Sequence, residues 1–333
     1  MGMKQLYLKA SPEYVGRYTV PVLWDKKTET IVNNESSEII RMLYSEFDDL
    51  ISPEMREDSK QGGQAGFYPE HLRGEVDAMN DWVYHKINNG VYKCGFATTQ
   101  NAYDENIYPL FESLDRVEAQ LADPQACRGG PFLFGNHMTE ADVRLYTTIA
   151  RFDAAYHTIF MCNLKMIRHD YPRIHRWLKR LYWNTSNVAN GQVFKETTAF
   201  EVYRYGYIRA RQRQVMKDTT DALPVMPRGP TVGIDSWTEE DEEIDRGRRV
   251  AYQQSQNTQR LAAVDINATS TVSTNGSKPK QKIDLSPEHR EQTTGGTVVT
   301  SPTVQYSEEN AKWYKAAKKA EKKSGAPYVH LAL

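Results

Sequence analysis

Residues 131–146 read PFLFGNHMTEADVRLY, and this stretch decides the class of the fold. Thr139 stands where a helix N-cap belongs, and Asp142 follows three residues later as a short-armed capping box, so that orphan amides at the helix start find side-chain acceptors. Ala141, Leu145, Ile149, Phe152 and Tyr156 then recur at helical spacing, which predicts a buried central helix. Upstream, Leu72, Val76, Met79, Val83 and Ile87 fall on one helix face, and Ile107, Phe111, Leu114 and Leu121 on another, with Pro109 inside the second. Downstream, Asp170, Tyr171 and Pro172 open a helix carrying Ile174, Trp177, Leu178 and Leu181, and aromatic residues stay frequent up to Tyr207. The middle of the chain reads as an all-helical bundle over residues 67–222.

The first 51 residues read differently. RYTVPVLWD (17–25) and TETIV (28–32) form a strand pair around a Lys26-Lys27 turn, with Pro21 suited only to an edge, a bulge or a cis turn because it lacks an amide hydrogen. NNESSE (33–38) opens a helix with Ile39, Ile40, Leu43, Phe47 and Leu50 at helical spacing. Two strands and one helix bury little by themselves, so this segment must lean on another part of the protein. SPEMREDSKQGGQAG (52–66) lacks apolar periodicity and reads as a linker. From residue 223 to 333 the chain is polar and predicts a mostly disordered tail. Its exception, AKWYKAAKKAEKKSG (311–325), can form a short basic helix, and a solvated lysine-rich tail is preferred there to a localisation, acidic-partner or membrane-surface element. No fixed-period repeat is present.

Composition narrows the function. Forty-two basic against 43 acidic residues among 333 give a net charge of −1, which removes the electrostatic case for a nucleic-acid or anionic-membrane binder. Hydrophobic residues make up 39%, below the usual globular share, as a polar tail diluting a folded part requires. No run approaches the length of a membrane span, and the N-terminus lacks a signal-peptide apolar region, so a cytoplasmic protein is expected. Cys94, Cys127 and Cys162 are few and far apart, which suits free structural thiols and no metal site. One feature points to a ligand. A strand ending in Val20-Pro21 and a helix opening at Glu35-Ser36 offer free amides and a positive dipole end to a carboxylate, but from these features alone the reading of Ser36 as a plain helix cap is preferred.

The run YVGRYTVPVLWDKKTETIVNNESSEIIRML (14–43), then NNGVYKCGFATTQNAYDENIYPLFESLDRVE (88–118), then TEADVRLYTTIARFD (139–153) resembles the omega-like, or Xi-class, glutathione transferases known as glutathionyl-hydroquinone reductases. The three blocks keep the family's order, and the resemblance spans roughly Leu6 to Tyr207. It implies an α+β chain: a partial thioredoxin-like N-terminal segment of two strands and a helix, an all-α glutathione-transferase C-terminal domain, then the tail. It implies glutathione as co-substrate, aromatic or quinol conjugates as ligands, a homodimer, and a cytoplasmic or sometimes mitochondrial location. Residue by residue, Val20 matches the position whose backbone pairs with the cysteinyl part of glutathione, and Pro21 matches the cis-proline. Glu35 and Ser36 match the pair that grips the γ-glutamyl end. Tyr92 and Tyr207 match the tyrosines that hydrogen-bond the quinol hydroxyl.

The family's nucleophile is a cysteine at the start of the first thioredoxin helix. It attacks the sulfur of a glutathionyl-hydroquinone, a mixed disulfide with glutathione forms as the hydroquinone leaves, and a second glutathione releases oxidised glutathione. No cysteine precedes Cys94 in this sequence, so the expectation is a chain truncated ahead of that motif. Cys94, two residues after Tyr92, has no helix N-terminus to activate it as a substitute. Two readings therefore stand: a reductase whose thiol lies outside this sequence, and a catalytically inactive binding or interaction protein of the same fold.

Overall fold

The computed structural model describes residues 2–53, 56–57, 66–183, 192–220, 222, 224–230 and 233–271, with side chains up to 262. The expected basic segment 311–325 and most of the linker 52–66 lie outside them.

The chain opens with α1 (Met3–Ala10), which carries no strong sequence signal and was not expected. Its Tyr7 is 3% exposed and holds the N-terminal segment together. The Tyr7 hydroxyl donates to the Thr19 carbonyl at 3.0 Å, and Asn34 Nδ2 donates to Tyr7 Oη at 3.1 Å and to Thr19 Oγ1 at 3.3 Å. The rings of Tyr14 and Tyr18 pack on it at centroid distances of 5.0 and 5.7 Å.

The Val20–Pro21 peptide is cis. Two strands follow, β1 (Leu23–Asp25) and β2 (Thr30–Asn33), paired antiparallel with an irregularity between Leu23 and Trp24. Asp25 makes the turn by accepting from the Lys27 amide at 2.7 Å and the Thr28 hydroxyl at 2.6 Å. Strand pairing thus starts after the cis-proline, later than the Arg17 start that the residue types suggested. α2 (Ser36–Ser45) comes next. Its apolar stripe is shorter than the sequence spacing predicts. Phe47 and Leu50 fall beyond the helix end, and Leu43 and Leu50 are 58% and 82% exposed.

The helical domain begins with α3 (Arg73–Val83), which runs through a π-helical turn (Tyr84–Asn88) into α4 (Asn89–Gly95). α5 (Gln100–Ala122) is capped by the Thr99 hydroxyl, which accepts from the Ala102 amide, and contains Pro109. α6 (Glu140–Arg151) continues through a second π-helical turn (Phe152–Tyr156) into the single turn α7 (His157–Ile159). α8 (Ile167–Asp170), α9 (Pro172–Trp183), α10 (Val193–Glu196) and α11 (Phe200–Gln214) complete the bundle. One continuous core runs from Leu72 to Ile208 and takes in Val76, Ile87, Leu114, Leu145, Ile149, Phe152 and Leu181.

The capping box at α6 forms as the sequence predicts. Fully buried Asp142 accepts from the Thr139 amide and hydroxyl at 2.9 and 3.1 Å, from the Leu133 amide at 3.0 Å and from the Trp177 indole at 2.8 Å. Burial raises its pKa above the ordinary carboxylate value, while these four donors pull it down.

One expectation needs correction. Within the stretch expected to be disordered, α12 (Glu239–Thr271) is a long helix, and its first turns pack on α9. Lys179 Nζ lies 2.5 Å from Asp241 Oδ2, and Arg176 and Arg180 reach Asp245 at 3.2 Å each. The acidic run EEDEEID, which reads as a solvated charge cluster, meets the basic side of α9 and is ordered by that complementarity. No helix among the described residues is long and apolar enough to cross a membrane.

Candidate functional site

Two places carry the expected site residues. The first is the N-terminal end of α2. Glu35 is the N-cap, in extended conformation, and its carbonyl accepts from the Glu38 and Ile39 amides at 3.1 and 2.9 Å. Its own amide donates to Asn33 Oδ1 at 2.7 Å. The Asn33 side chain is held in turn by donating to Glu38 Oε2 at 2.6 Å. The helix uses no side-chain cap, so the Ser36 hydroxyl does not play the plain capping role, and no bond among the described residues occupies the Ser36 and Ser37 amides. Glu35 is exposed and Ser36 half-buried. Tyr7 joins this end of α2, through Asn34, to the chain just ahead of the cis Val20–Pro21 bond.

The second place is in the helical domain, where three phenol hydroxyls converge. Tyr207 Oη lies 3.0 Å from Tyr92 Oη and 2.7 Å from Tyr156 Oη, and Tyr156 donates to Tyr92 at 3.4 Å. Each comes from a different element: α4, the π-helical turn after α6, and α11. Phe160 packs against all three rings, at 5.7, 5.4 and 5.2 Å, and Phe96 adds a wall at 5.0 Å from Phe160. Gly95 is required here, since a Cβ on it would stand 2.1 Å from the Phe160 ring. Burial pushes Tyr92 and Tyr156 far above the usual phenol range, so both are neutral donors at physiological pH.

Tyr92 and Tyr207 were expected at a site and are brought together. Tyr156 was read from the sequence as core alone. It is fully buried and also closes the cluster, and the π-helical turn that sets its direction leaves no mark in the apolar spacing.

A polar hub joins the two regions. Glu140, fully buried at the start of α6, accepts from Arg41 Nε at 3.2 Å, Asn80 Nδ2 at 3.0 Å and Arg144 Nη1 at 3.1 Å. Arg41, on α2, also reaches Asp77 at 2.5 Å and lies 4.0 Å over the Tyr68 ring. Beside it Tyr44 of α2 stacks on Phe67 at 5.5 Å. None of these contacts was anticipated.

The three cysteines are buried and unpaired. Burial raises the thiols of Cys127 and Cys162, with Arg248 partly offsetting the effect at Cys127. Among the described residues no group of three potential ligands could hold a metal ion.

Residues 100–180 match the family model for the glutathione S-transferase C-terminal domain. Over 233 residues the chain is 44% identical to glutathione S-transferase omega-like 2 of Schizosaccharomyces pombe, covering 70% of this chain and 67% of that protein. The chain belongs to the omega-like, Xi-class glutathione transferases. It is also 42% identical over 232 residues to the glutathionyl-hydroquinone reductase YqjG of Escherichia coli, covering 69% of this chain and 61% of that one. A crystal structure of the Xi transferase ECM4 from Saccharomyces cerevisiae in complex with glutathione superposes with a TM-score of 0.60 at 40% identity, over 71% of this chain and 68% of that chain. The chain thus spans between about three fifths and two thirds of the length of these curated relatives. The partial thioredoxin-like segment and the all-helical domain have the arrangement of the class.

Proposed function

We propose that this transferase binds glutathione at the cis Val20–Pro21 turn and the N-terminal end of α2, and holds a hydroquinone ring on the hydroxyls of Tyr92, Tyr156 and Tyr207. The reaction served is the glutathione-dependent reduction of glutathionyl-hydroquinones. The Val20 backbone pairs with the cysteinyl part of the tripeptide, and the Ser36 hydroxyl with the free amides of α2 receives the γ-glutamyl carboxylate, where the positive end of the helix dipole favours an anion. Glu35 faces the γ-glutamyl ammonium. The neutral tyrosines donate to a quinol oxygen inside an aromatic box that selects a flat ring.

The observation that carries this reading is the convergence of three phenol hydroxyls within 2.7 to 3.4 Å, in a chain that also offers a helix end with free leading amides. In the reaction a thiolate attacks the thioether sulfur, a sulfur–sulfur bond forms, the carbon–sulfur bond breaks and the ring carbon takes a proton; a second glutathione then resolves the disulfide. Such a thiolate needs access and an electropositive setting, and Cys94, Cys127 and Cys162 are all buried. The thiol is therefore not one of these three, and the described residues supply binding and orientation. The resemblance to the class supports a cytoplasmic homodimer.

Calorimetric titration with glutathione and with a glutathionyl-hydroquinone tests the reading. The conjugate binds more tightly than glutathione. Ser36→Ala weakens both ligands by about tenfold, and Tyr207→Phe weakens the conjugate alone by about tenfold, each the loss of one hydrogen bond to a ligand. A conjugate that binds no better than glutathione overturns it.

A further inference from the structure

The tyrosine cluster has a charged neighbour that the hydroxyl contacts do not use. Arg151 is the last residue of α6, directly before the π-helical turn that ends in Tyr156. Its Nη1 donates to the Thr147 carbonyl at 2.7 Å, and its guanidinium lies 4.5 Å from the centre of the Tyr203 ring. Its Nε is buried with no hydrogen-bond acceptor, and no carboxylate among the described residues pairs with it. The acids of the adjoining elements are engaged elsewhere. Asp153 accepts from the Ile167 and Arg168 amides at 2.9 and 3.0 Å, and Glu201 lies 3.6 Å from Arg204. Arg151 as a whole is half-buried, and a guanidinium partly withdrawn from water without a carboxylate bears part of its desolvation cost uncompensated.

Building on the phenol-site reading above, we propose that the cluster takes its phenolic ligand as the phenolate anion, with Arg151 as the counter-charge. The groups around the cluster from the packed elements are Tyr92 on α4, Tyr156 on the π-helical turn and Tyr207 on α11, with Arg151 set against the ring of Tyr203, whose hydroxyl donates to the Thr197 carbonyl at 3.4 Å. Arg211, also on α11, is turned to the Gly95 carbonyl and Met161 Sδ. None of these faces is a carboxylate. A neutral ligand hydroxyl accepts from the tyrosines but leaves the cation uncompensated, whereas a phenolate oxygen accepts more strongly and compensates the cation. In the same sense, the charge of Arg151 lowers the pKa of both Tyr92 and Tyr156 against the larger rise that burial causes. The ligand class that follows is acidic phenols and hydroquinone monoanions, bound more tightly as pH rises through the ligand's own ionisation.

4-Nitrophenol tests this directly, because its ionised and neutral forms are distinguished by absorbance. Titrated while bound to the protein, it is expected to ionise at lower pH than in free solution, and Arg151→Gln is expected to raise the bound value by about one pH unit, the scale set by loss of a nearby opposite charge. Arg151→Lys keeps the charge and returns most of the shift. A wild-type bound value above the free one, which is the sign burial alone gives, overturns the proposal even where Arg151→Gln fails to fold. So does an Arg151→Gln variant that folds, binds and titrates as the wild type does. Failure of the underlying site looks different: 4-nitrophenol does not bind, or binds equally to Tyr207→Phe, and the phenol site falls together with its counter-charge.

Discussion

From Leu72 to Ile208 the helical domain buries residues on almost every turn into one core, whereas from Met3 to Leu50 only Tyr7 is buried and α2 buries nothing. A fully buried Leu or Ile side chain contributes about 1.5 to 3 kcal/mol, so the first region is held by many interchangeable apolar contacts. The second is held by a few specific polar ones: the Tyr7 hydroxyl inside the segment, and the Arg41–Glu140 pair where it meets the helices. A region built this way is easily displaced as a unit, and its placement depends on very few side chains. In this protein those side chains set the N-terminal end of α2, where we propose that glutathione binds, relative to the helical domain.

The comparison can be broken most forcefully inside the helical domain. Asp142→Ala leaves the Leu133 and Thr139 amides and the Trp177 indole without an acceptor in a dry interior, and about 3 to 5 kcal/mol of global stability should be lost, read by urea unfolding. A variant of near wild-type stability would show that the box is not what holds the start of α6. Glu140→Gln keeps the volume and removes the charge that two arginines share. With Arg41 partly exposed and its contribution reduced by solvent screening, about 2 kcal/mol is expected, seen as faster hydrogen exchange in α2 with α5 and α9 unchanged. Loss of protection spread evenly over both regions would mean that they are not separately held. Tyr7→Phe keeps the ring and deletes one hydroxyl; about 1 kcal/mol should go, confined to exchange in residues 3–34.

The two regions also differed in how far they could be read from the sequence. Apolar spacing located α3, α5, α6 and α9, and Thr139 with Asp142 fixed the start of α6, because burial and capping leave local marks. The order of the N-terminal elements and the cis bond at Pro21 were legible too, from the missing amide of proline and from the family pattern. α1 was not, since a helix whose one buried residue is a tyrosine carries no apolar stripe. Leu43 and Leu50 misled for the converse reason: they keep helical spacing but have no core to enter. At the site, Tyr92 and Tyr207 came from the resemblance. Tyr156 did not, because the π-helical turn that places it shifts side-chain direction without changing residue types, and Arg151, at the end of α6, carries no mark that sets it apart from other surface arginines. The acidic start of α12 looked like a solvated cluster because its partners on α9 lie about 60 residues away in sequence.

The central claim is that these two unlike regions form one site. Hydrogen-exchange mass spectrometry with and without a glutathionyl-hydroquinone tests it most directly. The account predicts simultaneous protection of the amides around Ser36 to Ile39 and of the peptides containing Tyr92, Tyr156 and Tyr207, with glutathione alone protecting only the first set. Protection by the conjugate that reaches one region and leaves the other unchanged would contradict it.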